Sequence, residues 1–108
     1  MKKNVDLIIL CGGKGSRLGP LTKKTPKPLI KIGTRPFLHY LIKYYQRYNF
    51  KKIYLLAGYK GNQIKKYFNK KKFNFINVEV IIEKQPLGTG GCLSLIKKKL
   101  SKHSLIIN

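Results

Sequence analysis

Acidic side chains are nearly absent from this chain. Asp6, Glu79 and Glu83 are the only carboxylates among 108 residues, against 24 lysines and arginines. A metal site or a mechanism built on several carboxylates therefore has few residues to draw on. The formal net charge of +21 instead favours anionic ligands, either nucleic acid or phosphorylated small molecules.

Cysteine and long apolar runs are scarce as well. Cys11 and Cys92 are the only cysteines, and no histidine lies near either at the spacing of a metal site. We therefore expect two reduced thiols rather than a disulfide framework or a zinc knuckle. The apolar run that ends at Cys11 is shorter than the core of a signal peptide, and no other run approaches a membrane span. A cytoplasmic protein without membrane contact is expected.

A glycine-rich basic loop follows the first apolar run. Residues Val5 to Cys11 form a short apolar stretch, typical of a strand covered on both faces of a parallel sheet. The N–H groups of Gly12, Gly13 and Gly15 can approach an anion closely, because no Cβ intervenes. The basic side chains around them are Lys14, Arg17, Lys23, Lys24 and Lys27. This arrangement predicts a triphosphate site.

Two common phosphate loops do not fit this stretch. The P-loop pattern requires Gly-Lys followed by Ser or Thr, which occurs nowhere in the chain. The dinucleotide pattern requires a third glycine where Leu18 stands, and an acidic residue about twenty positions further on, where none occurs. Binding of NAD is therefore not expected.

Apolar periodicity predicts alternating strands and helices. The expected further elements are strands at 53–57, 78–82 and 104–107, and helices opened by Pro36, Asn62 and Cys92. This order indicates an α/β fold: a Rossmann-like, open, mostly parallel sheet with helices on both faces, truncated after about the fourth strand. Loops that follow parallel strands meet at one sheet edge, so the Gly12 loop, Gly58-Tyr59 and residues 85–91 should gather there.

The glycine loop and the segments after it resemble the signature of the sugar-phosphate nucleotidyltransferases. Gly12 to Leu18 match G-G-x-G-[ST]-R-L, and Pro26 to Leu29 match P-K-P-L. Further matches follow in the same order at Gly58-Tyr59 and at residues 85–91, QPLGTGG, so the resemblance covers the whole chain. The LGTGG form is similar to guanylyltransferases that act on mannose 1-phosphate or manno-heptose 1-phosphate.

The resemblance implies a reaction between a nucleoside triphosphate, with GTP favoured, and a sugar 1-phosphate. Such a transfer depends on positioning and charge neutralisation. By resemblance Arg17 and Lys27 are catalytic: Arg17 holds the oxygens of the triphosphate, and Lys27 neutralises the α-phosphate in the transition state. The residues implied in nucleotide binding are Cys11, Gly12, Gly13, Lys14, Gly15, Ser16, Gln85, Gly88 and Thr89.

The resemblance also implies Mg²⁺, for which no ligands are identified in the chain. In the family the metal-binding Asp follows the strand that Leu105 to Asn108 resembles, so its position lies beyond Asn108. Residues 1–108 are interpreted as the N-terminal, nucleotide-binding half of a catalytic domain, inactive by itself, and a homo-oligomer stays open. Half a sheet should leave Ile106 and Ile107 on an exposed or poorly packed strand.

Two other functions stay open. Lys65 to Phe75 read KKYFNKKKFNF, and lysines interleaved with aromatic residues are the pattern of a small basic nucleic-acid-binding module. No specific nucleic acid is expected, because a strong lysine bias attracts polyanions without selectivity. The second alternative is a nucleotide sensor that keeps the binding half and has lost catalysis.

Overall fold

A five-stranded, mostly parallel sheet lies at the centre of the structure. The computed structural model describes residues 5–11, 23–68, 72–73, 76–83 and 103–107. The strands of this sheet are β1 (Val5–Cys11), β4 (Lys52–Ala57), β5 (Lys72–Phe73), β6 (Ile76–Ile82) and β7 (His103–Ile107). They stand in the order β5-β6-β4-β1-β7, and all neighbours are parallel except β5, which pairs antiparallel with β6. A separate short hairpin consists of β2 (Lys31–Ile32) and β3 (Arg35–Pro36).

Two α-helices and one 3₁₀ turn are described besides the strands. Helix α1 spans Phe37–Gln46, helix α2 spans Gly61–Phe68, and the 3₁₀ turn spans Lys27–Leu29. Helix α1 lies in the connection from β1 to β4, and α2 lies in the connection from β4 to β6. Both connections move in the same direction across the sheet, and both helices pack into the same core on one face, as the usual right-handed crossover predicts. None of the described helices is long and apolar enough to cross a membrane.

The main core lies between this face and the two helices. Alternate strand residues point toward the helices, as the two-residue period of a strand requires. Its members include Leu7, Ile9, Ile53, Leu55 and Val78 from the strands, Leu38 and Ile42 from α1, and Ile64 and Phe68 from α2. A smaller buried cluster on the opposite face consists of Ile8, Tyr54 and Leu56. Burial on both faces explains why the central strands are nearly continuous apolar runs.

The predicted α/β fold is confirmed. Strands β4, β6 and β7 begin one or two residues before their predicted starts, and α1 opens after Pro36 as expected. Strand β7 lies at an edge of the described sheet, where Leu105 and Ile106 are 42% and 44% exposed. The expectation of an exposed strand at Ile106 is thus confirmed, whereas Ile107 is half-buried against the main core. The helix predicted from Cys92 lies outside the described residues.

The predicted helix cap at Asn62 is wrong. Helix α2 begins at Gly61, and Asn62 lies exposed inside its first turn. The turn before the helix sets this start: Lys60 adopts a φ of +51°, and the N–H of Gly61 donates to the carbonyl of Gly58 at 2.9 Å. The chain therefore enters the helix one residue earlier than a cap at Asn62 requires.

Candidate functional site

Three parallel strands end level at one edge of the sheet. Cys11 pairs with Ala57, and Ala57 pairs with Ile82, so β1, β4 and β6 stop in one row. Directly after this row, the N–H of Glu83 donates to the carbonyl of Ala57 at 2.8 Å. We call this row and the residues directly after it the carboxyl edge. Open α/β sheets bind their ligands at such an edge, because the connections leaving the strands start there side by side.

Helix α2 begins on the carboxyl edge because its first residue has no side chain. A Cβ at Gly61 would lie 3.1 Å from Cγ2 of Ile82 and 3.3 Å from Cβ of Ala57. Both distances are shorter than an ordinary contact between carbon atoms. Glycine therefore lets the helix approach the ends of β4 and β6 closely.

Two side chains hold the segment that leads to Lys27 beside this helix. The Nε2 group of Gln63 donates to the carbonyl of Lys24 at 2.9 Å, and the hydroxyl of Tyr59 donates to the carbonyl of Lys23 at 3.4 Å. Tyr59 belongs to the β4–α2 connection, and Gln63 belongs to the first turn of α2. We call these two contacts the anchoring bonds. They bring the segment before Lys27 to the connection that leaves β4. Of the three segments predicted to gather at one edge, the structure describes only Gly58-Tyr59, whereas the Gly12 loop and residues 85–91 lie outside the described residues.

Lys27 opens a turn whose backbone is restricted on both sides. The N–H of Leu29 donates to the carbonyl of Pro26 at 2.9 Å and closes the 3₁₀ turn. Pro26 is buried with a φ of −65°, and the ring of Pro28 fixes φ directly after Lys27. The side chain of Lys27 is exposed, and the sequence holds no carboxylate from residue 7 to residue 78. A lysine in this position is able to donate to a phosphate oxygen.

Cys11 reaches the carboxyl edge with its main chain only. Its side chain is 5% exposed within the main core, and its Sγ donates to the carbonyl of Ile9 at 3.5 Å. Burial raises the pKa of the thiol from 9.0 to about 12, so the group is uncharged near neutral pH. Any contact of Cys11 with a nucleotide is therefore made by its backbone, while the thiol packs as a small apolar group.

Most residues predicted for the site lie outside the described ranges. They are Gly12, Gly13, Lys14, Gly15, Ser16, Arg17, Gln85, Gly88 and Thr89. Gly12 follows Cys11 directly in the chain, and Gln85 comes two positions after Glu83. Their roles stay predictions.

The carboxylates do not form a metal site in the described part of the chain. Asp6 is buried near the start of β1, and Glu79 within β6 forms an ion pair with Lys52 at 2.6 Å. Only Glu83 follows a strand at the carboxyl edge. Among the described residues no group of three His, Cys, Asp or Glu side chains could hold a metal ion. This donor set does not fit Mg²⁺, which binds through carboxylate and other oxygen ligands.

The first two aromatic residues of the lysine-rich stretch belong to the fold. Phe68 is fully buried in the main core, and Tyr67 is half-buried against it. Their ring centroids lie 4.7 Å apart. Stacking of bases requires exposed ring faces, so these two rings do not serve the nucleic-acid-binding module considered above.

The fold and the carboxyl edge place this chain among the open α/β proteins, a class in which ligands bind beyond the ends of the strands. Comparison with known proteins narrows this class. The sequence model described as nucleotidyl transferase matches residues 6–108. The chain belongs to the nucleotidyl transferase family.

The relatives of the chain include sugar-phosphate guanylyltransferases, which confirms the predicted resemblance. A D-glycero-alpha-D-manno-heptose 1-phosphate guanylyltransferase of Campylobacter jejuni is 40% identical over 104 residues, covering 96% of this chain and 47% of the relative. The protein of that name from Aneurinibacillus thermoaerophilus is 35% identical over 103 residues, covering 95% and 44%. The crystal structure of HddC from Yersinia pseudotuberculosis complexed with GMP-PN is 32% identical, with a TM-score of 0.75, and covers 94% of this chain and 46% of that one. The chain spans about half the length of the curated relatives that it matches.

Proposed function

We propose that the chain supplies the nucleotide-binding half of a sugar-1-phosphate nucleotidyltransferase. In this reaction an oxygen of the sugar 1-phosphate attacks the α-phosphorus of a nucleoside triphosphate. The bond from the α-phosphorus to the bridging oxygen breaks, and pyrophosphate leaves. The sugar phosphate is already an anion at neutral pH, so no general base is required. Support comes from the family match and from relatives named as guanylyltransferases of a heptose 1-phosphate.

The placement of Lys27 is the observation that carries this proposal. Negative charge grows on the α-phosphate oxygens in the transition state, and a positioned cation stabilises it best when little rearrangement is needed. The prolines on both sides of Lys27 restrict its backbone, and the anchoring bonds from Tyr59 and Gln63 hold the preceding residues beside α2. We therefore propose Lys27 as the catalytic lysine, with the α-phosphate as its ligand.

The glycine loop and Arg17 are proposed to hold the β- and γ-phosphates. The loop follows Cys11, whose main chain ends β1 at the carboxyl edge. Loop N–H groups and a guanidinium both present fixed donors to phosphate oxygens. Gln85 and Gly88 are proposed to face the nucleobase, with Thr89 beside them.

GTP is the proposed nucleotide. Two relatives are named as guanylyltransferases, and the similar solved structure holds GMP-PN. Residues 1–108 are proposed as the N-terminal half of the catalytic domain, without turnover by themselves, because they match less than half of each relative. Mg²⁺ would need ligands that the described residues do not offer.

Calorimetric titration of the chain with GTP, CTP, UTP and dTTP tests the binding half. We expect weak binding, tightest for GTP, and little change when Mg²⁺ is added. The variant Lys27→Ala should lower the affinity for GTP only slightly, because its main contact forms in the transition state. Tight binding that depends strongly on Mg²⁺ would contradict this expectation, because it would mean that a carboxylate of the chain holds the metal at the triphosphate.

Release of pyrophosphate tests the catalytic lysine in a chain extended to the length of its relatives. With GTP and mannose 1-phosphate or manno-heptose 1-phosphate, Lys27→Ala should lower turnover by about a hundredfold or more, as loss of a preorganised donor does. The matched variant Lys65→Ala removes the same charge from the exposed side of α2 and should turn over normally. Normal turnover of Lys27→Ala together with an inactive Lys24→Ala would mean that the wrong lysine has been assigned.

A further inference from the structure

A row of exposed aromatic side chains runs along helix α1. Phe37, Tyr40, Tyr44 and Tyr48 follow one another at spacings of three and four residues, so they share one side of the helix and the turn after it. They are 39–52% exposed, and Ile32 of the β2–β3 hairpin is 58% exposed. The hydroxyl of Tyr40 donates to the carbonyl of Ile32 at 2.8 Å and joins hairpin and helix into one surface. We call these five residues the aromatic stripe.

Packing of the helix does not explain the aromatic stripe. The other side of α1 already buries Leu38 and Ile42 in the main core. Leu105 and Ile106, on the edge strand β7, are the only other large apolar side chains that the described residues expose. Single exposed apolar residues are normal on a monomer, whereas a contiguous row of them marks an interaction surface.

The border of the aromatic stripe is basic. The exposed cationic residues within or next to the hairpin and α1 in sequence are Lys31, Arg35, Lys43 and Arg47. The three carboxylates of the chain lie elsewhere, on β1 and on or directly after β6. The surface therefore combines an apolar centre with positive charge around it.

We propose that the aromatic stripe binds an acidic amphipathic segment of another protein, whose apolar side chains contact the tyrosines and whose carboxylates pair with the basic border. Tyr and Arg are enriched among the residues that dominate the energetics of protein interfaces. A partner with only one of the two features would leave either the rings or the cations unmatched. This surface is distinct from the residues of the carboxyl edge, and the proposal does not depend on the proposed function.

Contacts within the stripe disfavour a nucleic-acid partner. The guanidinium carbon of Arg47 lies 5.2 Å from the ring centroid of Tyr44 and 5.8 Å from that of Tyr48, over both rings. The two rings meet at an interplanar angle of 62° with centroids 6.2 Å apart. Bases stack on open, accessible ring faces, and here Arg47 already occupies a face of each ring.

Charge disfavours a second copy of the chain as the partner. A symmetric dimer through the aromatic stripe would bring one basic border against another. No carboxylate within residues 7–78 is present to compensate this repulsion.

Fluorescence anisotropy with a labelled synthetic peptide tests the proposal. The probe is an amphipathic helix with leucines along one side and glutamates on both borders of that side. A peptide of the same composition in scrambled order has the same charge and measures simple attraction to a polycation. The full chain should bind the amphipathic peptide more tightly, and should keep this preference at raised salt, where attraction between exposed charges is screened.

Two substitutions locate the binding surface. Tyr44→Ser leaves the net charge unchanged and should weaken binding of the amphipathic peptide at least about fivefold, as truncation of a central aromatic contact does. Arg47→Gln should weaken binding by a smaller factor, while the matched charge variant Lys65→Gln on α2 should have almost no effect. Amide chemical shifts of the unsubstituted chain give an independent reading, because the peptide should move the signals of residues 37–48 first.

Three outcomes would overturn the proposal. Equal affinity of Tyr44→Ser and the unsubstituted chain, with shifts spread over all basic surfaces, would mean polycation attraction only. Tighter binding of a single-stranded RNA oligonucleotide that depends on Tyr44 would make nucleic acid the partner. Dimerisation in sedimentation that is lost in Tyr44→Ser would make the partner a second copy.

Discussion

Replacing Gly61 by alanine should destabilise the chain, although alanine is the better helix former. The new Cβ would lie 3.1 Å from Cγ2 and 3.2 Å from Cγ1 of Ile82, and 3.3 Å from Cβ of Ala57. Carbon atoms prefer separations of about 3.5–4.0 Å, so three contacts must open together. Rotation of Ile82 can relieve the first two contacts, but the Cβ of Ala57 is fixed to strand β4, so helix α2 has to shift to open the third.

Two opposing terms set the change in the free energy of unfolding. Overpacking a filled site costs about 1–3 kcal/mol. Alanine gains up to about 1 kcal/mol over glycine in a helix interior, but Gly61 is the first residue of α2, where this gain is smaller. Ile82 is half-buried and can yield in part. We therefore expect a net loss of about 1–2 kcal/mol, in the lower part of the overpacking range.

Urea denaturation followed by circular dichroism measures this loss. The variant Ile82→Ala removes both close γ-carbons, so in the double variant Gly61→Ala should cost at least about 0.5 kcal/mol less than it does alone. Asn62→Ala is the matched control, because Asn62 is exposed in the same turn and alanine there should be neutral or slightly stabilising. A Gly61→Ala chain as stable as the original, or a strictly additive cycle, would refute the role given to this glycine.

Three further predictions concern the thiol of Cys11 and the ion pair between Lys52 and Glu79. Cys11 should react with iodoacetamide far more slowly in the folded chain than in urea, because burial raises the pKa of its thiol to about 12. Peptide mass spectrometry measures the two rates, and equal rates would mean that the thiol is accessible in the folded chain. Stability should also fall from pH 9.0 to about 12, where the unfolded chain gives up this proton and the folded chain keeps it, and Cys11→Ala should remove that part of the pH dependence. Glu79→Gln should lower the free energy of unfolding by about 1 kcal/mol or less, because the side chains of Lys52 and Glu79 are 31% and 26% exposed and the pair is partly screened. A loss of several kcal/mol in urea denaturation would show that this pair is far less screened than its exposure indicates.

The long elements could be predicted because their burial leaves a pattern in the sequence. Strands β1 and β4 are covered on both faces and therefore consist of nearly unbroken apolar runs. Strand β6 instead alternates buried apolar residues with the polar Asn77 and Glu79, which is the two-residue period of a strand with one buried face. Helix α1 follows Pro36 and places Leu38 and Ile42 four residues apart toward the core. Both patterns involve residues that are close together in the sequence, so they can be recognised without knowing which elements pack against the strand or the helix.

The short elements could not be predicted by the same means. The β2–β3 hairpin and strand β5 have two residues per strand, and the 3₁₀ turn has three, which is too short for any periodicity. Contacts from other segments accompany them, such as the bond from the hydroxyl of Tyr40 in α1 to the carbonyl of Ile32 at 2.8 Å. These elements follow from tertiary packing.

The candidate site also includes residues that could be predicted from the sequence and residues that could not. The motif around Lys27 predicts its role, which stays a prediction, and the common edge of the strands follows from their parallel order. Gln63 was missed, because its anchoring bond reaches a main-chain carbonyl 39 residues away and any residue type could supply that carbonyl. A side chain that holds a backbone in place leaves no motif in a single sequence.

The position of β1 in the sheet has a consequence for how the chain folds during synthesis. Strand β1 comes first in the sequence but lies between β4 and β7, and Leu7 pairs with both Ile53 and Leu105. The pair with β4 can form early, whereas the pair with β7 must close a loop of nearly the whole chain, which slows folding. During synthesis on the ribosome, the edge of β1 that pairs with β7 therefore stays unpaired until β7 has emerged.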